Sequence, residues 1–229
     1  MTTPTSAATA SQPALAVGIL PVTAFEQNCS LIWCTKTMKG AVVDPGGEVE
    51  RILAAAKAKG ITIEKILLTH GHLDHAGGAA ALRRATGVPV IGPHKDEAEL
   101  LSSMAAQGQM YGLPGTENCV PDQWLQDGDT VTVGEVTLGV RHCPGHTRGH
   151  VVFYSEDAHI AFVGDVLFQG SVGRTDFPGG SFEQLVGSIT QRLWPLGDDM
   201  RFVPGHGPTS TFGHERKTNP FVSDMALGR

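Results

Sequence analysis

Four cysteines are scattered through 229 residues without a CxxC pair, which removes a disulfide framework and leaves free, buried thiols as the reading of Cys29, Cys34, Cys119 and Cys143. No apolar run comes near the ~20 residues that a membrane-spanning helix needs. Basic residues number 17 against 23 acidic ones, for a formal charge of −6, and they form no dense block. That balance argues against nucleic acid as a partner and leaves any anionic substrate to local positive charge. The first 13 residues, rich in Thr, Ala, Ser and Pro, have neither the basic start nor the apolar core of a targeting segment, so residues 1–13 are expected to be a disordered tail and the protein to be cytoplasmic. No internal repeat or linker divides the remainder, so residues 14–229 are expected to form one domain.

What is present is concentrated in one segment. Thr69-His70-Gly71-His72-Leu73-Asp74-His75 sets three imidazoles and a carboxylate within six residues, directly after the apolar run Ile66-Leu67-Leu68. Imidazole and carboxylate are the usual ligands of zinc and of iron. His70, His72 and Asp74 share a period of two, which His75 breaks. One strand face cannot aim all four at a point, so the segment reads as a loop serving two metal positions.

Short strands open the chain (14–22, 30–35 and 40–43) and end at the turn Asp44-Pro45-Gly46-Gly47. A helix over 49–59 stops at Gly60, a strand over 64–69 feeds the histidine loop, and a continuous helix is expected over 75–86. A strand over 88–91, a helix over 95–106 and an irregular stretch over 107–126 follow. The second half restarts as a meander (130–133, 136–142, 151–155 and 159–164), then a helix over 182–193 and a last strand over 201–204. Strands at both ends with helices between them suggest two packed sheets covered by helices on their outer faces. Three strand ends in the second half repeat the logic of a polar residue in a Gly-flanked turn: His146 in Cys143-Pro144-Gly145-His146, Asp165 in Val163-Gly164-Asp165, and His206 in Pro204-Gly205-His206-Gly207.

The order His70-x-His72-x-Asp74-His75, His146, Asp165, His206 resembles the metallo-β-lactamase superfamily. Within it, Pro21 to Phe25, Gly164 to Phe168, Val172 to Pro178 and Pro204 to Pro208 are most similar to short glyoxalase II-type hydroxyacylglutathione hydrolases. The resemblance implies an αβ/βα sandwich with metals at one edge, an α/β fold of two mixed sheets. It puts His70, His72 and His146 on one cation and Asp74, His75 and His206 on a second, with Asp165 bridging. Two divalent metal ions are implied, zinc first, with iron or manganese as alternatives. The implied reaction is hydrolysis of a thioester, S-D-lactoylglutathione to D-lactate and glutathione, by a metal-bound hydroxide that Asp74 helps to orient. A small glutathione conjugate is therefore the expected partner, with no nucleic acid or membrane, and the chain a monomer or weak homo-oligomer. Arg174 and Phe177 stand where such relatives contact substrate. Pairing of Arg174 with Asp176 is the competing reading. Arg148 replaces a proline common in relatives, an exchange expected to leave His146 in place and either to change loop rigidity or to add a positive charge near the mouth.

The stretch after His206 is too short for the helical segment that completes the glutathione site in full-length relatives. Segments 107–113 and 214–217 are the candidates to replace it. His142 and His150 read as packing residues at strand ends, with a hydrogen-bonding role behind the ligands as the alternative, and His94, His159 and His214 as surface or capping residues. The rival function on the same fold is an iron-dependent glutathione persulfide dioxygenase, whose Gly-Arg-Thr-Asp-Phe segment is matched by Gly173 to Phe177. A β-lactamase, a lactonase, a nuclease and a metal-storage protein fit the pattern less well.

Overall fold

In the computed structural model, which describes residues 15–113 and 115–229, two sheets pack face to face with helices outside. The expected tail falls outside the described residues. The first sheet runs β1-β2-β3-β4-β5, from β1 (Leu15–Val22), β2 (Gln27–Cys34), β3 (Lys39–Val43), β4 (Thr62–Leu67) and β5 (Val90–Ile91). β1 to β3 pair antiparallel and β3 to β5 parallel. The second sheet contains β6 (Thr130–Val133), β7 (Val136–His142), β8 (Val151–Ser155), β9 (Ile160–Gly164), β12 (Arg201–Pro204) and β13 (Ser210–Thr211), in the order β13-β12-β9-β8-β7-β6. A small hairpin, β10 (Leu167–Phe168) with β11 (Ser171–Val172), follows β9.

The layers follow from alternation of side chains along the central strands, which are apolar on both faces. Ile32, Leu67, Phe153 and Phe162 point into the core between the sheets. Their neighbours point outward. Leu31, Ile66 and Leu68 meet α1 (Val49–Ala58) and α3 (Ala79–Thr86) through Ile52 and Leu82. Val152 and Val163 meet Leu185 of α6 (Phe182–Ser188) and Phe212 of α7 (Phe212–Thr218). No helix among the described residues is long and apolar enough to cross a membrane.

Three helices depart from the sequence expectation. The helix expected over 75–86 breaks into α2 (Leu73–Ala76) and α3. The Gly77-Gly78 pair lies against the turn after β3, where the Gly78 amide donates to the Pro45 carbonyl at 2.8 Å. A Cβ on Gly78 would fall 2.6 Å from that same oxygen, so close approach takes precedence over helical continuity. The helix expected over 95–106 becomes a 3-10 turn (Lys95–Glu97), α4 (Ala98–Ser102) and α5 (Met104–Met110). At the second junction the Ser102 and Ser103 hydroxyls donate to the Glu99 and Leu100 carbonyls, competing with the helical ladder. α5 also runs into the stretch expected to be irregular. The helix expected over 182–193 widens after Ser188 into a π turn, Ile189–Leu193.

Registry brings the strand ends together. β3 and β4 pair Val43 with Leu67, so Asp44 and Thr69 emerge side by side. β7 and β8 pair His142 with Val151, and the loop between them carries His146. β12 pairs parallel with β9, Pro204 opposite Gly164, which sets His206 beside Asp165. Hydrogen bonds then sew one sheet to the other at this edge: the Asn28 amide donates to Gly205 at 2.7 Å and the Val151 amide to Thr69 at 2.8 Å. Phe153 is fully buried in the interface between the sheets. Truncation of Phe153 to Ala should lower the unfolding free energy in denaturant titration by about 3–5 kcal/mol, whereas truncation of exposed Met110 should leave it within about 0.5 kcal/mol.

Candidate metal centre

The loops after β4, β7, β9 and β12 carry His70, His72, Asp74 and His75, then His146, Asp165 and His206, to one edge of the sandwich. The structure brings all seven together. His72 Nδ1 lies 3.1 Å from His70 Nε2 and 3.0 Å from His146 Nε2. His206 Nε2 lies 3.0 Å and His75 Nε2 3.7 Å from Asp74 Oδ2. Bonds of about 2.0–2.1 Å at tetrahedral to right angles put neighbouring ligand atoms roughly 2.9–3.4 Å apart. The short spacings are those that neighbouring ligands of one cation would have. Asp165 stands between the groups, with Oδ1 3.2 Å from His75 Nε2 and Oδ2 3.6 Å from His146 Nε2 and 3.8 Å from His206 Nε2.

The outer nitrogen of four of these rings is tied to oxygen, which decides where the lone pair points. His146 Nδ1 donates to the Arg174 carbonyl at 2.7 Å, and His206 Nδ1 to the Phe25 carbonyl at 3.1 Å. His75 Nδ1 donates to Asp44 Oδ2 at 2.9 Å. The Thr69 hydroxyl gives its proton to Asp44 Oδ2 at 2.6 Å, so its oxygen accepts from His70 Nδ1 at 3.0 Å. The inner nitrogens of His70 and His146 are left as acceptors, while those of His75 and His206 face the carboxylates of Asp165 and Asp74.

Burial lowers all three of His70, His72 and His146. Burial, reinforced by the neighbouring imidazoles, holds His70 well below the usual histidine range. Burial and then His146 bring His72 down to about 4, and burial also lowers His146. These three rings are neutral at pH 7 and can act as ligands without first losing a proton. Across the site, burial would lower His75, but Asp165 and Asp74 together outweigh it and hold the ring well above its usual range. Burial would raise Asp165, yet His75 foremost and His146 hold its carboxyl well below the carboxylate range.

Two of the seven buried side-chain atoms without a hydrogen-bond partner among the described residues, His75 Nε2 and Asp165 Oδ1, face each other at 3.2 Å. Leaving both unpaired would cost on the order of 1–3 kcal/mol each. A cation between them would supply a partner to both, and the His/Asp set is suited to a dinuclear metal site. Gly205 keeps the space open, since a Cβ there would lie 2.1 Å from Asp165 Oδ1.

Residues 22–206 match the sequence profile of the metallo-β-lactamase superfamily. The chain belongs to that superfamily. It is 43% identical over 211 residues to hydroxyacylglutathione hydrolase GloC of Haemophilus influenzae, an alignment covering 92% of this chain and 99% of that one. Solved superfamily structures overlay closely. BLEG-1, a B3 metallo-β-lactamase, is 33% identical with a TM-score of 0.83, covering 90% of this chain and 99% of the other. TTHA1623, solved in a di-iron-bound form, is 36% identical with a TM-score of 0.82, covering 90% and 100%.

Two residues of this superfamily site escaped the sequence reading. Asp44 looked like a turn residue, but its buried carboxylate organises the loop after β4. Oδ1 accepts from the Thr69 amide at 2.7 Å, while Oδ2 accepts from Thr69 and His75. Asp44 also adopts φ 51°, a left-handed conformation that Asp tolerates better than most residues. Glu97 is wholly buried and accepts from the Gly71 amide at 2.8 Å and the Gly149 amide at 2.6 Å, joining two ligand loops from different sheets. His150, expected to pack at a strand end with a hydrogen-bonding role behind the ligands as the alternative, accepts the Asp165 amide on Nε2 at 3.1 Å and stacks on His70 with 4.6 Å between centroids. The remaining expectations divide simply. His94 caps the 3-10 turn, accepting from the Asp96 amide. His159 pairs at the surface with Asp199.

Arg174 is bound bidentately by Asp176 at 2.7 and 2.6 Å and lies 4.2 Å over the Phe177 ring. Phe177 in turn stands edge-on to His72 at 5.2 Å. Glu97→Gln leaves all seven metal-facing side chains in place but turns one acceptor into a donor against a backbone amide. Its expected effect is a roughly 10–100-fold weaker zinc affinity in chelator competition, with circular dichroism unchanged.

Proposed function

We propose that this protein is a dinuclear metal-dependent thioester hydrolase acting on S-D-lactoylglutathione, releasing D-lactate and glutathione. In this reading His70, His72 and His146 hold one cation, Asp74, His75 and His206 the other, and Asp165 joins them. The observation that carries it is the Asp165 carboxylate, set between the two groups with Oδ1 3.2 Å from His75 Nε2 and Oδ2 3.6 Å from His146 Nε2. The likeness to GloC of Haemophilus influenzae supports the choice of substrate. Zinc is the first choice of metal, and the di-iron form of TTHA1623 makes iron the alternative to test.

When bound, two divalent cations would acidify a shared water and draw electrons from a carbonyl oxygen. The protein's own groups do the rest. Asp74 accepts a hydrogen bond from the attacking water and aims it, and Asp165 fixes the spacing of the two cation sites. No strong general acid is needed, because a thiolate leaves without being protonated first. Phe177, held edge-on to His72 and covered by Arg174, shields the acyl carbon from bulk water on one side. Buried free thiols at Cys29, Cys119 and Cys143 suit a reducing, cytoplasmic setting.

The test is turnover of S-D-lactoylglutathione by zinc-loaded and iron-loaded protein, beside oxygen uptake with glutathione persulfide. Thioester cleavage without oxygen uptake is expected. Oxygen uptake by the iron form with negligible thioester cleavage would transfer the site to the persulfide dioxygenases. Asp165→Asn should lower metal content at both positions in elemental analysis and reduce kcat by at least about 100-fold. Arg174→Ala should raise KM by no more than about twofold, because Asp176 already holds its guanidinium, and a several-fold rise would make Arg174 a substrate contact.

A further inference from the structure

A cavity of about 640 Å³ lies against the outer side of the loop that carries His146. Pro144 and Arg148, two residues to either side of His146, line one wall, and Gly179 to Ser181, just beyond Phe177, line the other. Two peptide units span at most about 7 Å, so the cavity adjoins the loop that carries His146. The cavity is lined by two charged side chains of opposite sign, Arg148 and Asp96, together with the amide of Gln184.

Neither charge is neutralised by the protein. Arg148 makes no ion pair among the described residues, in contrast to Arg174, whose guanidinium is taken by Asp176. Asp96 lies 3.4 Å from His94 Nδ1, but that nitrogen accepts the Asp96 amide and so has no proton for the carboxylate. Arg148 is nevertheless seated. Its stem crosses Gly179 so closely that a Cβ there would sit 2.7 Å from Nε and 3.0 Å from Cγ, and Gly179 has φ 90°. His142 Nε2 donates to the Arg148 carbonyl at 2.9 Å, its ring stacked on His94 at 4.4 Å. Glu97 holds the next amide, that of Gly149. Gly179 supports the Arg148 side chain and two hydrogen bonds hold the backbone that carries it, so a guanidinium without an ion pair among the described residues is presented to a planar anion.

We propose that this cavity is the subsite for the zwitterionic α-amino-acid end of the thiol half of the substrate, Arg148 binding its carboxylate and Asp96 its ammonium. The assignment rests on the thioester reading for its substrate. It gives this chain a recognition element made from the β7–β8 loop and the segment after Phe177. The γ-glutamyl end of glutathione has the required pair of charges, and a neutral thiol such as N-acetylcysteamine has neither.

Kinetics of two lactoyl thioesters, one of glutathione and one of N-acetylcysteamine, separate the possibilities. Arg148→Gln should raise KM for the glutathione thioester roughly tenfold, leave kcat unchanged, and leave both constants unchanged for the neutral thioester. Asp96→Asn should raise the same KM by a smaller factor. An equal change for both thioesters, or none for either, overturns the subsite while leaving the hydrolase reading intact. Calorimetric titration with S-methylglutathione reads the subsite without turnover. If neither thioester is cleaved but S-methylglutathione binds and Arg148→Gln weakens it about tenfold, the subsite stands and the hydrolase reading falls. Binding unaffected by Arg148→Gln overturns the subsite.

Discussion

Imidazole nitrogens standing 3.0–3.1 Å apart at one point must be kept free of protons, and the rest of the site is arranged around that requirement. Two devices meet it. Burial removes the water that would stabilise imidazolium at His70, His72 and His146. Oxygen acceptors on the outer nitrogens fix the tautomer, so the lone pairs face inward. The arrangement differs across Asp165, where His75 and His206 sit above their usual range beside two carboxylates. Filling that side requires displacement of protons, and filling the other does not.

Such a cluster can persist only if the loops carrying it are held from outside. The sandwich does this at the edge where β3, β4, β7, β9 and β12 end. Glu97 ties the loop after β4 to the loop after β7, Asn28 ties β2 to the turn after β12, and Asp44 links the end of β3 to both Thr69 and His75. These contacts join elements distant in sequence, so the site forms only when both sheets have packed. Function is thereby coupled to the core between the sheets, where Phe153 and Phe162 meet Leu67 and Ile32.

What could be read from the sequence follows from which signals are local. His70, His72, Asp74 and His75 are neighbours in the chain, and His146, Asp165 and His206 each sit in a Gly-flanked turn after an apolar run, so residue type and punctuation located them. The two-layer fold followed from the apolar strands and the superfamily resemblance. Asp44 and Glu97 carried no such mark. One sits in an Asp-Pro-Gly turn and the other in a charged helical start, and their roles exist only through partners 25 or more residues away. The helix breaks at Gly77-Gly78 and at Ser102-Ser103 were equally hidden, because the first depends on contact with a distant turn and the second on hydroxyl rotamers. Arg174 illustrates the limit from the other side. The sequence left two readings open, substrate contact and pairing with Asp176; the structure shows the pairing, and Arg148 is the guanidinium without an ion pair beside the adjoining cavity.

The central claim is that Asp165 divides two cation sites, and location of the metals tests it most directly. Anomalous diffraction from crystals grown with zinc should give two peaks, one among His70, His72 and His146 and one among Asp74, His75 and His206, each in contact with Asp165. A single peak, or peaks that leave Asp165 without a metal neighbour, would contradict the account.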